Sequence, residues 1–222
     1  MSVWVVVVAA GRGQRFGAPK QYASLAGRSM VQWAVDAARS VADGVVLVLP
    51  AAEDSGAGDG AGHVTAADVV TGADVSVSGG DTRAASVRAG LAAVPLSAQV
   101  IVVHDGARPL ASPALFGAVV DAVTGGADAA VPGLAMADTL KRVVDGVVTA
   151  TVARDDLVTV QTPQAFRAEV LRAAHDAGAD ATDDATLVEA LGATVRVVPG
   201  DPRNIKVTTA GDLAVAQALA LS

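Results

Sequence analysis

Cysteine is missing from all 222 residues, which excludes disulfide scaffolds, thiolate zinc sites, iron–sulfur clusters and cysteine nucleophiles and points to a reducing compartment. Aromatic residues make up only 3% of the chain. That is too few for the stacking platforms that hold single-stranded nucleic acid, so a base, if one is bound, belongs to a mononucleotide. Cations are in the minority: sixteen Lys and Arg face twenty-three Asp and Glu, a net charge of −7. A sequence-blind binder of duplex DNA or another polyanion is therefore disfavoured, and any anion site must be local. The N-terminal apolar run, Val3 to Ala10, falls far short of the ~20 residues a bilayer span needs, and Met1-Ser2 supplies no basic export signal. A cytoplasmic protein without membrane contact is expected. With three histidines, at 63, 104 and 175, no His-x-x-x-His pair and no Gly-x-Ser-x-Gly elbow, zinc catalysis and hydrolase triads lack their residues.

What the chain does have is apolar residues, 52% of the total, enough to bury the core of one full domain. Val3 to Ala9 (VWVVVVA) is a continuous β-branched run ended by glycines, the pattern of a strand covered on both faces. Val45 to Leu49, Val75 to Val77, Val100 to Val103, Ala129 to Val131 and Val195 to Val198 repeat it. Helical stretches lie between, with expected caps at Ser29, Asp81, Ser112 (before Pro113), Thr182 and Thr209. Strand and helix alternating at this spacing predict a doubly wound α/β sheet. Ala51 to Gly62 is Gly-, Ala- and Asp-rich without periodicity and reads as a loop. Thr139 to Val144 and Val147 to Val152 flank Asp145-Gly146, a pair suited to a two-residue turn with φ > 0, so this segment predicts an antiparallel hairpin. A lone hairpin is marginal; it lies either on its own domain or against a second subunit.

The strongest chemical signal follows the first strand: Ala9-Ala10-Gly11-Arg12-Gly13-Gln14-Arg15-Phe16-Gly17-Ala18-Pro19-Lys20. Small residues let backbone N–H groups approach a phosphate or base, and Arg12, Arg15 and Lys20 concentrate cations there. Residues 1–50 carry five cations and two anions, net +3, on a chain of −7. A positive mouth on an acidic protein suits a small polyanion. Gly17 is followed by Ala18-Pro19-Lys20-Gln21 rather than Lys-Ser/Thr, which disfavours a Walker A loop, and Phe16 occupies the third glycine position of a dinucleotide fingerprint. Gly79-Gly80-Asp81-Thr82-Arg83-Ala84-Ala85-Ser86 again joins a strand to a helix; it is either an ordinary capped loop or a second ligand loop in which Ser86 offers its hydroxyl. In Val103-His104-Asp105-Gly106-Ala107-Arg108-Pro109, an Asp stands at the carboxyl edge of a strand, where α/β proteins bind ligands. Asp105 either pairs with Arg108 or holds Mg²⁺ or a substrate hydroxyl, and His104 reads as a packed, loop-ordering residue. Lys206, in Arg203-Asn204-Ile205-Lys206-Val207-Thr208-Thr209, is either solvated or a fourth ligand group.

Taken in order, AAGRGQRFGAPKQY, SGGDTRAASV, HDGARP, DTLKR, TPQAF, TDD and NIKVT resemble the 2-C-methyl-D-erythritol 4-phosphate cytidylyltransferase family of the non-mevalonate isoprenoid pathway, over essentially the whole chain. The resemblance implies a single domain, 1–222, with the α/β, Rossmann-like three-layer sandwich of the nucleotidyltransferases and a protruding β-arm at about 138–155 for homodimerisation. It implies transfer of CMP from CTP to methylerythritol phosphate, with Mg²⁺ as cofactor. Ala9, Ala10, Gly11, Gly13, Gly80, Asp81 and Ser86 would hold the nucleotide; Arg15, Lys20 and Lys206 would act on the phosphates. Asp105, Arg108, Thr139, Thr162 and Thr182 would line the acceptor side, Asp105 also as the metal ligand, and Arg154 would reach the acceptor phosphate in the neighbouring subunit. The alternatives are transfer to ribitol 5-phosphate or another sugar phosphate, and a nucleotide-binding domain without turnover.

Overall fold

The computed structural model describes residues 1–11, 16, 19–51, 70–178, 181 and 183–222. The loop reading of 51–62, beyond Ala51, and the candidate residues Gly13, Arg15 and Thr182 lie outside the described residues. Strands β1 (Val3–Val8), β4 (Gly44–Leu49), β5 (Val75–Ser78) and β6 (Val100–Asp105) form the parallel part of an eight-stranded sheet, in the order β5-β4-β1-β6. Their apolar continuity has a direct cause. In β1, Val5 and Val7 pack into a core on one face and Val6 into a core on the other, so both pleat faces are covered.

Helices α1 (Met30–Arg39) and α3 (Pro113–Thr124) close the first face through Val31, Val35, Phe116 and Val119. On the second lie α2 (Arg83–Ala93), α4 (Ala168–Asp176) and α5 (Asp184–Glu189), through Val87, Leu91, Leu171 and Val188. The result is the expected three-layer α/β sandwich. A small hairpin, β2 (Ser24–Leu25) and β3 (Arg28–Ser29), packs with α6 (Ala210–Ala220) around Leu25, Met30, Val207 and Ala216. No helix among the described residues is long and apolar enough to cross a membrane.

The sheet is mixed rather than wholly parallel. After β7 (Ala129–Ala135), the chain returns through β10 (Val158–Val160) and β11 (Gln164–Arg167), both antiparallel to β7, and β11 is inserted between β6 and β7. β12 (Val195–Pro199) then adds in parallel to β7. The four residues of β11 are too few for a periodic signal, and the preceding Thr162-Pro163 bond is cis.

Ser29, Ser112 and Thr209 cap their helices as expected, Thr209 in a reciprocal box with Asp212. Two caps are displaced by one residue. Thr82, not Asp81, accepts from the Ala85 amide, and the cap of α5 is Asp183, which accepts from Thr186. The hydroxyl or carboxylate that lies three residues before a free amide is the one that caps.

The hairpin is formed by β8 (Leu140–Val144) and β9 (Val147–Val152), with φ of 49° at Asp145 and 78° at Gly146, the twist-matched turn that Asp-Gly favours. Among the described residues its strands pair only with each other, and Val143, Val144, Val147 and Val148 are each more than half exposed. Among the described residues, nothing of the domain covers the arm's tip.

One glycine fixes how closely α2 lies on the sheet. A Cβ at Gly90 would sit 2.4 Å from Val6 Cγ1 and 3.0 Å from Val48 Cγ2. Overpacking of this kind costs about 1–3 kcal/mol, more than the roughly 1 kcal/mol of helix propensity that alanine returns. Gly90→Ala is therefore expected to lower the urea midpoint of unfolding, and an unchanged or higher midpoint would show that the contact relaxes.

Candidate active site

The loops leaving β1, β5 and β6 converge at the carboxyl ends of the parallel strands. The backbone joins them: the Ala9 amide donates to Val48 O (2.8 Å), Gly79 to Leu49 O (2.7 Å) and Gly106 to Val8 O (2.9 Å). The extended segment 204–208 closes the fourth side, held by Val207 N to Ala107 O at 2.8 Å. Between them lies a cavity of about 460 Å³, within the range of small-molecule sites. Ala9, Ala10, Gly11 and Lys20 line one wall, Gly80, Asp81 and Ser86 the second, and Asp105 and Lys206 the floor. Nine residues named from the sequence thus meet in one place.

Asp105 is the electrostatic centre. Its Oδ2 accepts from Lys206 Nζ at 2.6 Å, and its Oδ1 lies 3.3 Å from Arg83 Nε. Burial alone would push this carboxyl up; the charges of Arg83 and Lys206 overcome burial and hold it well below the usual carboxylate range. Arg83 is fixed from behind by Asp184, with Nη1 to Oδ2 at 2.8 Å, while its Nη2 is buried without a hydrogen-bond partner among the described residues. On the opposite wall, Lys20 Nζ donates to the Val207 carbonyl at 3.0 Å. Two lysines and an arginine outnumber the two carboxylates of the cavity lining, Asp81 and Asp105, which favours an anionic ligand. Among the described residues no group of three or more His, Asp or Glu could hold a metal ion. The donor set still suits Mg²⁺, which needs one or two carboxylates when phosphates and water complete its shell.

A buried network holds the Asp105 backbone. The Asp105 amide donates to Thr162 Oγ1 at 3.0 Å; the Arg108 carbonyl can only accept, so His104 Nε2 donates to it at 3.1 Å and Nδ1 of the neutral ring accepts from the Thr162 hydroxyl at 3.2 Å. Asn204 Nδ2 donates to Thr162 O at 2.8 Å, tying this turn to the segment that carries Lys206. His104 is fully buried against Phe116 with ring centroids 4.9 Å apart, the packed role expected of it.

The loop glycines serve internal packing. A Cβ at Gly79 would lie 2.4 Å from Ala10 Cβ, so the two walls approach closely only with glycine there, and one at Gly80 would lie 2.6 Å from Ala85 Cβ, so the loop folds tightly onto its own helix. Ser86 Oγ accepts from the Gly80 amide (3.2 Å) and donates to Thr82 O (3.0 Å), bracing the same loop.

The acceptor-side candidates are more scattered. Arg108 does not pair with Asp105; it donates to Asn204 O at 2.7 Å. Thr162 is buried, with its hydroxyl shared between His104 and the Asp105 amide. Thr139 and Arg154 are exposed at the base of the hairpin, where Arg154 donates to Ala137 O. None of these four lines the cavity. The reading of single residues missed Arg83 and Asp184. A signal existed: a cation in the first turn of α2 opposes the helix dipole and therefore calls for carboxylate partners.

The model of the family described as 2-C-methyl-D-erythritol 4-phosphate cytidylyltransferase matches residues 3–221. A protein of that name from Nocardia farcinica is 45% identical over 98% of this chain and 94% of its own length. The bifunctional enzyme IspD/IspF of Ruegeria pomeroyi is 42% identical, with 98% of this chain spanning 56% of that one. The crystal structure of 2-C-methyl-D-erythritol 4-phosphate cytidylyltransferase from Thermus thermophilus superposes with a TM-score of 0.81 at 38% identity, covering all of both chains.

Burial pushes His104 down to about 4. Below the ordinary histidine value near 6.5, the unfolded chain binds the proton that the folded chain refuses, so stability falls as pH drops from about 6.5 to about 4, by roughly 3 kcal/mol in all. His104→Gln is expected to flatten this part of the stability–pH curve in urea titrations. A slope equal to the unsubstituted protein's would mean that the loss comes from other groups.

Proposed function

The chain belongs to the 2-C-methyl-D-erythritol 4-phosphate cytidylyltransferase family, and from that membership we propose how its site carries the reaction. The protein is a cytidylyltransferase: it transfers CMP from CTP to 2-C-methyl-D-erythritol 4-phosphate, giving 4-diphosphocytidyl-2-C-methyl-D-erythritol and pyrophosphate. The observation that carries the mechanism is one cavity at the carboxyl edge of the sheet that gathers Lys20, Arg83 and Lys206, the last two on Asp105.

The nucleophile is the acceptor's phosphate, whose second pKa near 6 leaves it a dianion at neutral pH, so no general base is needed. The difficulty is to bring two anions into line and to absorb charge on the five-coordinate phosphorus and the departing pyrophosphate. Ala9, Ala10, Gly11, Gly13, Gly80, Asp81 and Ser86 hold the base and ribose in this reading. Arg15 and Lys20 take the triphosphate, and Lys206 leaves Asp105 to join Lys20 at the reacting phosphorus. Asp105 is the carboxylate that would hold Mg²⁺, which when bound neutralises phosphate charge. Asp105, Arg108, Thr139, Thr162 and Thr182 form the acceptor side, Arg108 and Thr162 by shaping the Asp105 turn.

The protein works as a cytoplasmic homodimer in this reading, with its two small substrates as partners and neither nucleic acid nor membrane. The exposed valines of the β8–β9 arm support the dimer, since a partner subunit would cover them and would bring Arg154 to the acceptor phosphate. The single domain 1–222, with the arm at about 138–155, is the unit that dimerises.

Three outcomes test this reading. Pyrophosphate release from CTP and Mg²⁺ is expected with methylerythritol phosphate and not with ribitol 5-phosphate; release with the second would reassign the acceptor. Lys20→Ala and Lys206→Ala are each expected to lower kcat by about 10²–10³ in a folded protein, Lys20→Ala with little change in melting temperature and Lys206→Ala with a lower one because Asp105 loses a cation, and near-normal turnover in both would end the mechanism. Arg154→Ala is expected to raise KM for the acceptor, not for CTP, in a protein that sediments as a dimer at micromolar concentration; a monomer would remove Arg154 from the site.

A further inference from the structure

Arg83 leads from the cavity floor to two buried groups, Asp184 and His175, that the transfer step does not use. Arg83 is shared by two carboxylates, Asp105 on the cavity side and Asp184 on the far side. Asp184 uses its second oxygen as well: His175 Nε2 donates to Oδ1 at 2.9 Å. The Asp184 and His175 side chains are 1% and 2% exposed, and neither lines the cavity. Three elements of one sheet face are joined in this way, with α4 supplying His175, α5 Asp184 and α2 Arg83.

Stability alone is a weak reason for such an arrangement, because apolar residues of similar volume often replace a buried ion pair without loss. Its distinctive product is geometry. Two carboxylates on different N–H groups of one guanidinium fix the plane of that guanidinium. They also divide the cations around Asp105 into two kinds. Lys206, with its side chain 42% exposed, is free to leave for a phosphate, whereas Arg83, at 24% and anchored from behind, is not.

We propose that Asp184 is a positioning residue of the cytidylyl transfer, holding Arg83 on Asp105 so that the carboxylate keeps its orientation when Lys206 moves to the substrate, with His175 fixing Asp184. The proposal rests on the reading of Asp105 as an active-site group. Without Asp184, Arg83 has one carboxylate instead of two and is drawn toward the triphosphate, taking Asp105 out of place.

A double-mutant cycle tests this. Asp184→Asn is expected to lower kcat at least ten-fold while changing KM for CTP less than three-fold. In the Asp105→Asn background, followed by single turnovers at excess enzyme, the same substitution is expected to cost less than a further two-fold. His175→Gln, which keeps a donor near the Nε2 position, is expected to retain most of the turnover, and His175→Leu to lose it in parallel with Asp184→Asn. The His175 pair carries the test if Asp184→Asn does not fold. Equal losses from Asp184→Asn in both backgrounds, or equal turnover in the two His175 variants, would overturn the proposal and leave these groups a structural role. Full activity in Asp105→Asn would instead overturn the reading of Asp105 on which it rests.

Discussion

A buried carboxylate held ionised by cations from two distant parts of the chain is the constraint on which the rest of this structure depends. Asp105 ends a central strand at a depth where burial alone would push a carboxyl up. It stays charged because Arg83, 22 residues before it, and Lys206, 101 residues after it, reach its two oxygens. Satisfying it requires that α2 start beside β6 and that segment 204–208 run back across the strand ends. The positions of the second ligand loop and the C-terminal strap are thus coupled through a single side chain.

The fold supplies that coupling cheaply in conformational terms. Glycines at 79 and 90 let the β5–α2 unit lie against β1, β4 and the loop after β1 at distances a Cβ would forbid. Helices on both faces bury alternate valines of β1, β4 and β6, so the strands that carry the ligand loops stand in a close-packed core. Loops on such a base hold cations near one another before any ligand arrives, which is the preorganisation that phosphoryl chemistry needs.

The parallel strands, three of the five helix caps and the Asp145-Gly146 turn were legible in the sequence because each depends on neighbours in the chain. Val3–Val8 has no polar residue to place, and the positive φ at both turn residues matches the Asp-Gly pair. The ligand loops were legible as glycine- and cation-bearing strand ends, and they do converge. What sequence reading missed is non-local. The partner of Asp105 is Arg83 rather than the nearby Arg108, Asp184 acts from a separate helix, and the Thr162 hydroxyl is committed to the Asp105 amide 57 residues away. The insertion of β11 was hidden for a related reason: its four residues pair on both sides with strands distant in sequence, and no local periodicity records that.

Central to this mechanism is that the site supplies charge placement and no proton transfer from a side chain. The most direct measurement is kcat/KM for methylerythritol phosphate against pH at saturating CTP. It should show one rising limb near pH 6, the second ionisation of the acceptor's own phosphate, followed by a plateau that persists in His104→Gln. A limb that moves when a protein side chain is replaced would contradict the mechanism, because the enzyme would then hold the base that this site is built to do without.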